Sequence, residues 1–457
     1  MHTTFLRSVI TTCLIGFLLT LQAQSPALQR YIEEGLANNQ AMKRQDIAVE
    51  QSIQALREAR GLFFPQVDFQ ASYTLAAGGR TIQFPVGDLF NPVYGTLNQL
   101  TESEAFPTDL ANEDIQFLPN NFHETKVRIT QPLLNSDIYF NRQAKTHQIA
   151  VAKASRQAYK QELIKEIKVA YIQYLQTTEA IKIYDEAYAL LKEILRVNKK
   201  LVAAQKATPL VISQAEFELS QIEASQAQQQ ALRQTAAAYF NFLLNRPLDA
   251  SIESDLEMTA PDITPALALL QTQALENRSE IAQLDAAILA TDQGIARYQY
   301  AALPELGILM DIGFQGFGYT FEQEQAFFLG AVSLNWNLFQ GGQTKAQKAQ
   351  VELDKVRLLN QQSELQQQVQ LQVTQAYHQL AASKTQIATA QKGQAAALEA
   401  FDFIQKRYAQ QQSSFLELVQ ARTDLTQARL NLNLAQYAFL EQQAELAFAS
   451  GNLQAER

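Results

Sequence analysis

The chain has 457 residues, with 37 Lys and Arg against 46 Asp and Glu, a formal net charge of −9 and one cysteine. An acidic chain without a basic patch argues against a nucleic-acid partner, and a lone cysteine leaves no disulfide framework or thiolate metal site. The length has room for about two to four domains.

Residues 1–7 contain Arg7 and no acid, Ser8 to Leu21 is apolar, and small Ala23 follows. This pattern predicts a secretory signal peptide over 1–23, removed on export. Its apolar core is shorter than the ~20 residues of a spanning helix. Cys13 lies inside that core, not at its end, so no lipid anchor is expected. No later stretch is apolar enough for a transmembrane helix, so membrane entry would have to use β-strands.

The chain repeats itself. Asn38-Asn39 with Gly61-Leu62-Phe63-Phe64-Pro65-Gln66 is matched by Asn277-Arg278 with Ala301-Ala302-Leu303-Pro304-Glu305. Val127 to Asn135 is matched by Val332 to Gln340, and Gln214-Ala215-Glu216 by Gln420-Ala421-Arg422. The predicted repeats are 24–250 and 251–457, each reading helix, strand, loop, strand, long helix, helix. The first copy carries the longer insertion between its strands, 76–124.

Four segments alternate with period two. They predict strands at 66–75, 125–134, 305–315 and 327–339, each near the length of a tilted transmembrane strand. Val67, Phe69, Tyr73, Ile312, Phe328 and Val332 are among the apolar set. Trp336, Phe339, Phe63 and Phe64 fall near strand ends, where interfacial aromatics sit. A soluble sheet with one wet face would alternate in the same way. Four strands cannot close a membrane barrel, and an open edge in lipid leaves backbone groups unsatisfied. Spanning strands would therefore require several copies of the chain, eight strands from two or twelve from three.

From about Ser136 to Gln205 there is no proline or glycine, a helix of roughly 70 residues and ~105 Å. Heptads run through Ile167, Tyr174, Ile181, Tyr188, Leu195 and Val202, with a second seam at Ala170, Thr177, Tyr184, Leu191 and Asn198. A matching helix covers about 343 to 410, interrupted only by Gly393. Leu418, Leu425, Leu432, Phe439 and Leu446 mark another. Such spacing predicts supercoiled packing. Thr208-Pro209 predicts a helix start, and Ser414 with Glu417 a capping box.

The proline-led strands, the junctions Gln131-Pro132-Leu133-Leu134 and Asn337-Leu338-Phe339-Gln340-Gly341-Gly342, and Arg407-Tyr408 ahead of Phe415-Leu416-Glu417-Leu418 resemble the TolC-like outer membrane efflux proteins. The resemblance covers nearly the whole chain after the leader. It implies a mostly α fold with a membrane β part: a long α-helical coiled-coil barrel in the periplasm and four transmembrane β-strands per protomer. It further implies a homotrimer with a 12-stranded β-barrel in outer-membrane lipid. The implied function is a passive exit duct of a tripartite efflux or type I secretion system. A periplasmic adaptor and an inner-membrane pump would be its partners.

The same resemblance implies a gate at the periplasmic turns. Tyr408 matches the family's tyrosine and Glu417 its first acid. Gln420 replaces the second acid, and Gln411 and Gln205 the usual turn glycines. Ser413 replaces an arginine and Val211 an acid, so the expected gate is less charged than the family pattern. Three copies of Glu417 would form a carboxylate ring favouring cations; alternatively Glu417 only caps its helix. The 76–124 insertion is expected outside the cell, as a lid over the barrel or a solvated loop. His123 in that insertion, and His147 and His378 on helices, lack ligand spacing. No HExxH, GxSxG or P-loop occurs, so neither an enzyme nor a cofactor is expected. The competing reading is a periplasmic coiled-coil scaffold or adaptor without a pore.

Overall fold

A computed structural model describes residues 26–254 and 264–453; the expected leader and Cys13 lie outside them. The first half contains α1 (Pro26–Asn38), α2 (Gln40–Gly61), β1 (Gln66–Thr74), β2 (Thr81–Phe84), α3 (Val86–Thr101), β3 (Glu113–Gln116), β4 (Phe122–Leu134), α4 (Ser136–Ala203) and α5 (Leu210–Leu243). The second contains α6 (Leu267–Asn277), α7 (Ser279–Gln299), β5 (Glu305–Phe317), β6 (Ala326–Asn335), α8 (Gln343–Ala409) and α9 (Phe415–Ala449). Two compact units result. One comprises Ser52–Ile149 and Ala287–Arg357, and the other the remaining described residues.

The first unit holds an antiparallel sheet in the order β1-β4-β5-β6. Its register places Val67, Ile129, Met310 and Gly330 in one row, and Phe69, Val127, Ile312 and Phe328 in the next. Side chains alternate across a strand, so these rows share a face. That face is apolar and wet: Phe69, Phe328 and Val332 keep 72%, 67% and 70% of their surface exposed. The opposite face carries Asp68, Arg128 and Asp311 in one row. Arg128 grips Asp311 through two bonds, Nε to Oδ1 at 2.8 Å and Nη2 to Oδ2 at 2.7 Å. Lys126 Nζ lies 3.5 Å from the same carboxylate. This ladder ties β4 to β5, one strand from each half of the chain.

Strand boundaries differ from the periodicity. β6 stops at Asn335, opposite Glu305, not at 339. Beyond that pair the facing chain offers Pro304, which has no N–H for the ladder. Trp336 and Phe339 therefore lie beyond the strand. β4 begins at Phe122, earlier than expected, because Thr74 and Phe317 pair with it. Its register shifts between Pro132 and Leu134, where proline again removes a donor and produces a bulge. His123 is not a loop surface residue. It lies in β4, fully buried, with its ring 5.2 Å from Tyr319 and 5.3 Å from Phe321.

The insertion is folded rather than a bare loop. Its β2 and β3 pair as a hairpin, with α3 between them in sequence.

In the second unit the helices pack through three clusters. Tyr31, Leu163, Ile167, Tyr171 and Phe240 form one, Val369, Val373, Leu380 and Phe439 another, and the third surrounds the site below. The heptads bury unevenly. Ile167, Leu191 and Asn198 are sealed, whereas Tyr174, Tyr188 and Leu195 are only partly covered. The breaks after α1 and α6 are each anchored to the end of a long helix. Asn39 Nδ2 donates to Leu243 O at 2.9 Å, near the end of α5. Arg278 Nη1 donates to Ala449 O at 3.5 Å, at the end of α9.

Candidate functional site

The turns joining α4 to α5 and α8 to α9 have the same backbone. Lys206 N donates to Leu201 O and Gln205 N to Val202 O; Gln412 N donates to Arg407 O and Gln411 N to Tyr408 O. This is the Schellman pattern, whose C′ residue is left-handed and usually glycine. Here Gln205 and Gln411 occupy it at φ +57 and +64. Both glutamines thus hold a conformation that a side chain disfavours.

After the second turn, Ser414 and Glu417 form a reciprocal capping box. Glu417 N donates to Ser414 Oγ at 3.3 Å, and Ser414 N to Glu417 Oε2 at 2.9 Å. One carboxylate oxygen is thereby committed to the helix start. Gln420 Nε2 donates to Asp424 Oδ1 at 2.8 Å along the same helix. Arg407 donates to Gln412 O at 2.7 Å and lies over the Phe403 ring.

Tyr408 joins α8 to α4. Its hydroxyl donates to Asn198 Oδ1 at 2.5 Å, and its ring lies 6.2 Å from Phe415. Asn198 is fully buried, and its Nδ2 finds no partner among the described residues. Burial pushes the Tyr408 phenol up from its usual range, opposed by the Asn198 bond. Around them Leu191, Ile194, Ala215, Phe401, Phe415 and Leu418 close an apolar core. The four expected residues thus lie on or beside one turn, but Tyr408, Glu417 and Gln420 bond to separate partners and not to one another.

Two participants escaped the sequence reading. Asn198 stands in a heptad seam otherwise taken by apolar and small residues, and that polar intrusion was its only signal. Arg422, 4% exposed, gives Nη2 to Glu218 Oε2 of α5 at 2.9 Å, while its Nε has no partner among the described residues. Burial lowers the guanidinium from its usual range, partly offset by Glu218. Beside this pair lies a cleft of about 340 Å³ lined by Ser213, Phe217, Glu218, Phe415, Leu416 and Val419.

The aromatics at the strand ends form a separate group. Trp336 Nε1 donates to Ala302 O at 2.9 Å. Arg142 lies 5.5 Å over Phe63, and Phe64 and Phe339 are open to solvent.

A sheet with one exposed apolar face, joined to helices of 68 and 67 residues, has solved counterparts. The CmeC outer membrane channel of Campylobacter jejuni matches with a TM-score of 0.76 at 15% identity, covering 93% of this chain and 86% of that one. The outer membrane protein VceC of Vibrio cholerae matches at 0.75 and 18%, covering 94% and 97%. The MtrE outer membrane channel of Neisseria gonorrhoeae matches at 0.75 and 17%, covering 93% and 89%. No curated protein matches by sequence. Residues 270–452 match the family model described as outer membrane efflux protein. Residues 270–452 are thus similar to outer membrane efflux proteins, and the chain shares its fold with these channels.

Proposed function

We propose that this chain is one protomer of an outer-membrane exit duct, serving a tripartite efflux or type I secretion system. The observation that carries this reading is the sheet. Its strands are 9 to 13 residues long, one face is apolar and uncovered, and β1 and β6 each pair on one side only. In lipid those edges must close, and three copies supply twelve strands. The polar face with Asp68, Arg128 and Asp311 then lines the lumen, and the apolar face meets outer-membrane lipid. Trp336, Phe339, Phe63 and Phe64 sit at the periplasmic interface. A pore-less periplasmic scaffold would leave the same apolar face in water.

The helices extend into the periplasm, and the turn at Gln411 and Glu417 forms the gated entrance. The duct itself is passive, and export is powered by an inner-membrane pump engaged through a periplasmic adaptor. The cleft between Phe217 and Leu416 suits an apolar helical tip of such an adaptor. Three Glu417 carboxylates at the entrance favour cations even while capping their helices. Glu417→Gln keeps the capping geometry and removes the charge, so it lowers cation selectivity; unchanged selectivity rejects the ring. Purified protein is expected to require detergent and to have a trimeric mass by light scattering. A detergent-free soluble monomer or dimer supports the scaffold instead.

A further inference from the structure

The folded insertion between β1 and β4 carries a helix turned inside out. On α3, Asn91 and Asn98 stand seven residues apart and so on one face. Asn91 exchanges two hydrogen bonds with the backbone of Leu110, both 2.9 Å. Asn98 does the same with Phe106, at 2.7 and 3.0 Å. Asp88 and Asn112 add a third clasp. Gly87 allows the approach, since a Cβ there would collide with the carbonyl oxygen of Leu110.

The return segment is thus held on the polar face of α3. At 3.6 residues per turn the opposite face presents Leu89, Val93 and Leu100, flanked by Leu97. Leu89, Val93 and Leu100 are 57%, 51% and 77% exposed. An apolar helix face normally turns toward a core; this one has no cover among the described residues.

We propose that this stripe is covered by the same stripe of the neighbouring protomers, so that three α3 helices meet over the barrel mouth. The inference rests on the trimeric channel reading. Strands about 4.8 Å apart, tilted by about 40°, make a twelve-stranded barrel about 24 Å across. α3 has 16 residues and is therefore about 24 Å long. Three such helices rooted on one rim are within reach of each other. Residues 89–101 contain no charged side chain, so the stripes meet without burying charge. An anionic lipid surface is the poorer occupant. Amphipathic helices that lie on such surfaces carry Lys and Arg, whereas Arg80 is the only Lys or Arg in the insertion, beside Asp88, Glu102, Glu104, Asp109, Glu113, Asp114 and Glu124.

Cysteine cross-linking of the full chain, in a Cys13→Ala background, tests this. A disulfide needs Cα atoms within ~7 Å. Val93→Cys and, independently, Leu100→Cys are expected to yield oxidised dimers on a denaturing gel. The yield should be on the order of tenfold above Gln83→Cys, which lies on the β2–β3 hairpin outside the stripe. Stable trimers in which the Val93→Cys and Leu100→Cys variants stay uncross-linked and react with water-soluble maleimide overturn the cap but not the channel. Protection of those thiols by lipid alone, quenched by lipid-borne labels, assigns the stripe to the membrane and also overturns the cap. Failure to form trimers at all overturns the channel reading beneath it.

Discussion

Replacing Tyr408 with Phe removes one oxygen from the tip. The ring remains against Phe415, so packing is retained and only the bond to Asn198 is lost. A neutral hydrogen bond contributes about 1 kcal/mol, but a buried amide left without partners raises the cost to ~1–3 kcal/mol. Asn198 is fully buried with Nδ2 already unpaired, which places the expected cost in the upper part of that range. With that bond as the latch on the turn, the ratio of latched to released turn falls by about 30–150-fold per protomer. Amide hydrogen exchange across residues 404–413 reads this directly. Tyr408→Phe accelerates exchange there, whereas Tyr408→Phe with Asn198→Leu restores most of the protection, since removing both partners is nearly neutral. Exchange unchanged in the single variant, or faster still in the double, refutes the latch. The raised phenol also sets its pH range. Its folded pKa exceeds its unfolded value near 10, so the latch is intact below about pH 10 and is lost as pH rises through the folded pKa.

Gln411→Gly relieves the left-handed strain at the second turn by about 1 kcal/mol, slowing proteolysis between α8 and α9; faster cleavage contradicts the assigned strain. Arg128→Ala removes both of its bonds to Asp311, leaves that carboxylate only Lys126, and so loosens β4 from β5. The trimer should dissociate at lower temperature in detergent, and an unchanged transition argues against the ladder. Burial holds the Glu441 carboxyl above its usual range, opposed by a bond with Gln173. Because the folded pKa is raised, the penalty is present at neutral pH and disappears as pH falls through it toward about 4.3. Glu441→Gln therefore raises the melting temperature at pH 7.5 and flattens its rise toward acid; no change at either pH rejects the assignment.

Much of the architecture was legible because it rests on local periodicity. Alternation at Val67, Phe69, Ile312 and Phe328 marks a two-faced strand without tertiary information, and heptads through Ile167 and Val373 mark packed helices. Proline placed the strand starts correctly at Pro65 and Pro304. Its effect on a partner strand was illegible, because the shortening of β6 depends on which residue faces Asn335. The insertion was read as loop because its helix carries Pro92 and two glycines, and its stabilising clasps run from asparagine side chains to distant backbone. At the tip, Glu417 and Ser414 were legible as a local motif. The Tyr408–Asn198 and Arg422–Glu218 pairs each join residues more than 200 positions apart, and no local pattern encodes such partners.

The most direct measurement is the conductance of the purified, leader-free protein in a planar lipid bilayer. Discrete, long-lived current steps from detergent-solubilised trimers are the predicted result. Protein that stays soluble without detergent and never inserts would contradict the channel and leave the exposed apolar face of the sheet to a soluble partner.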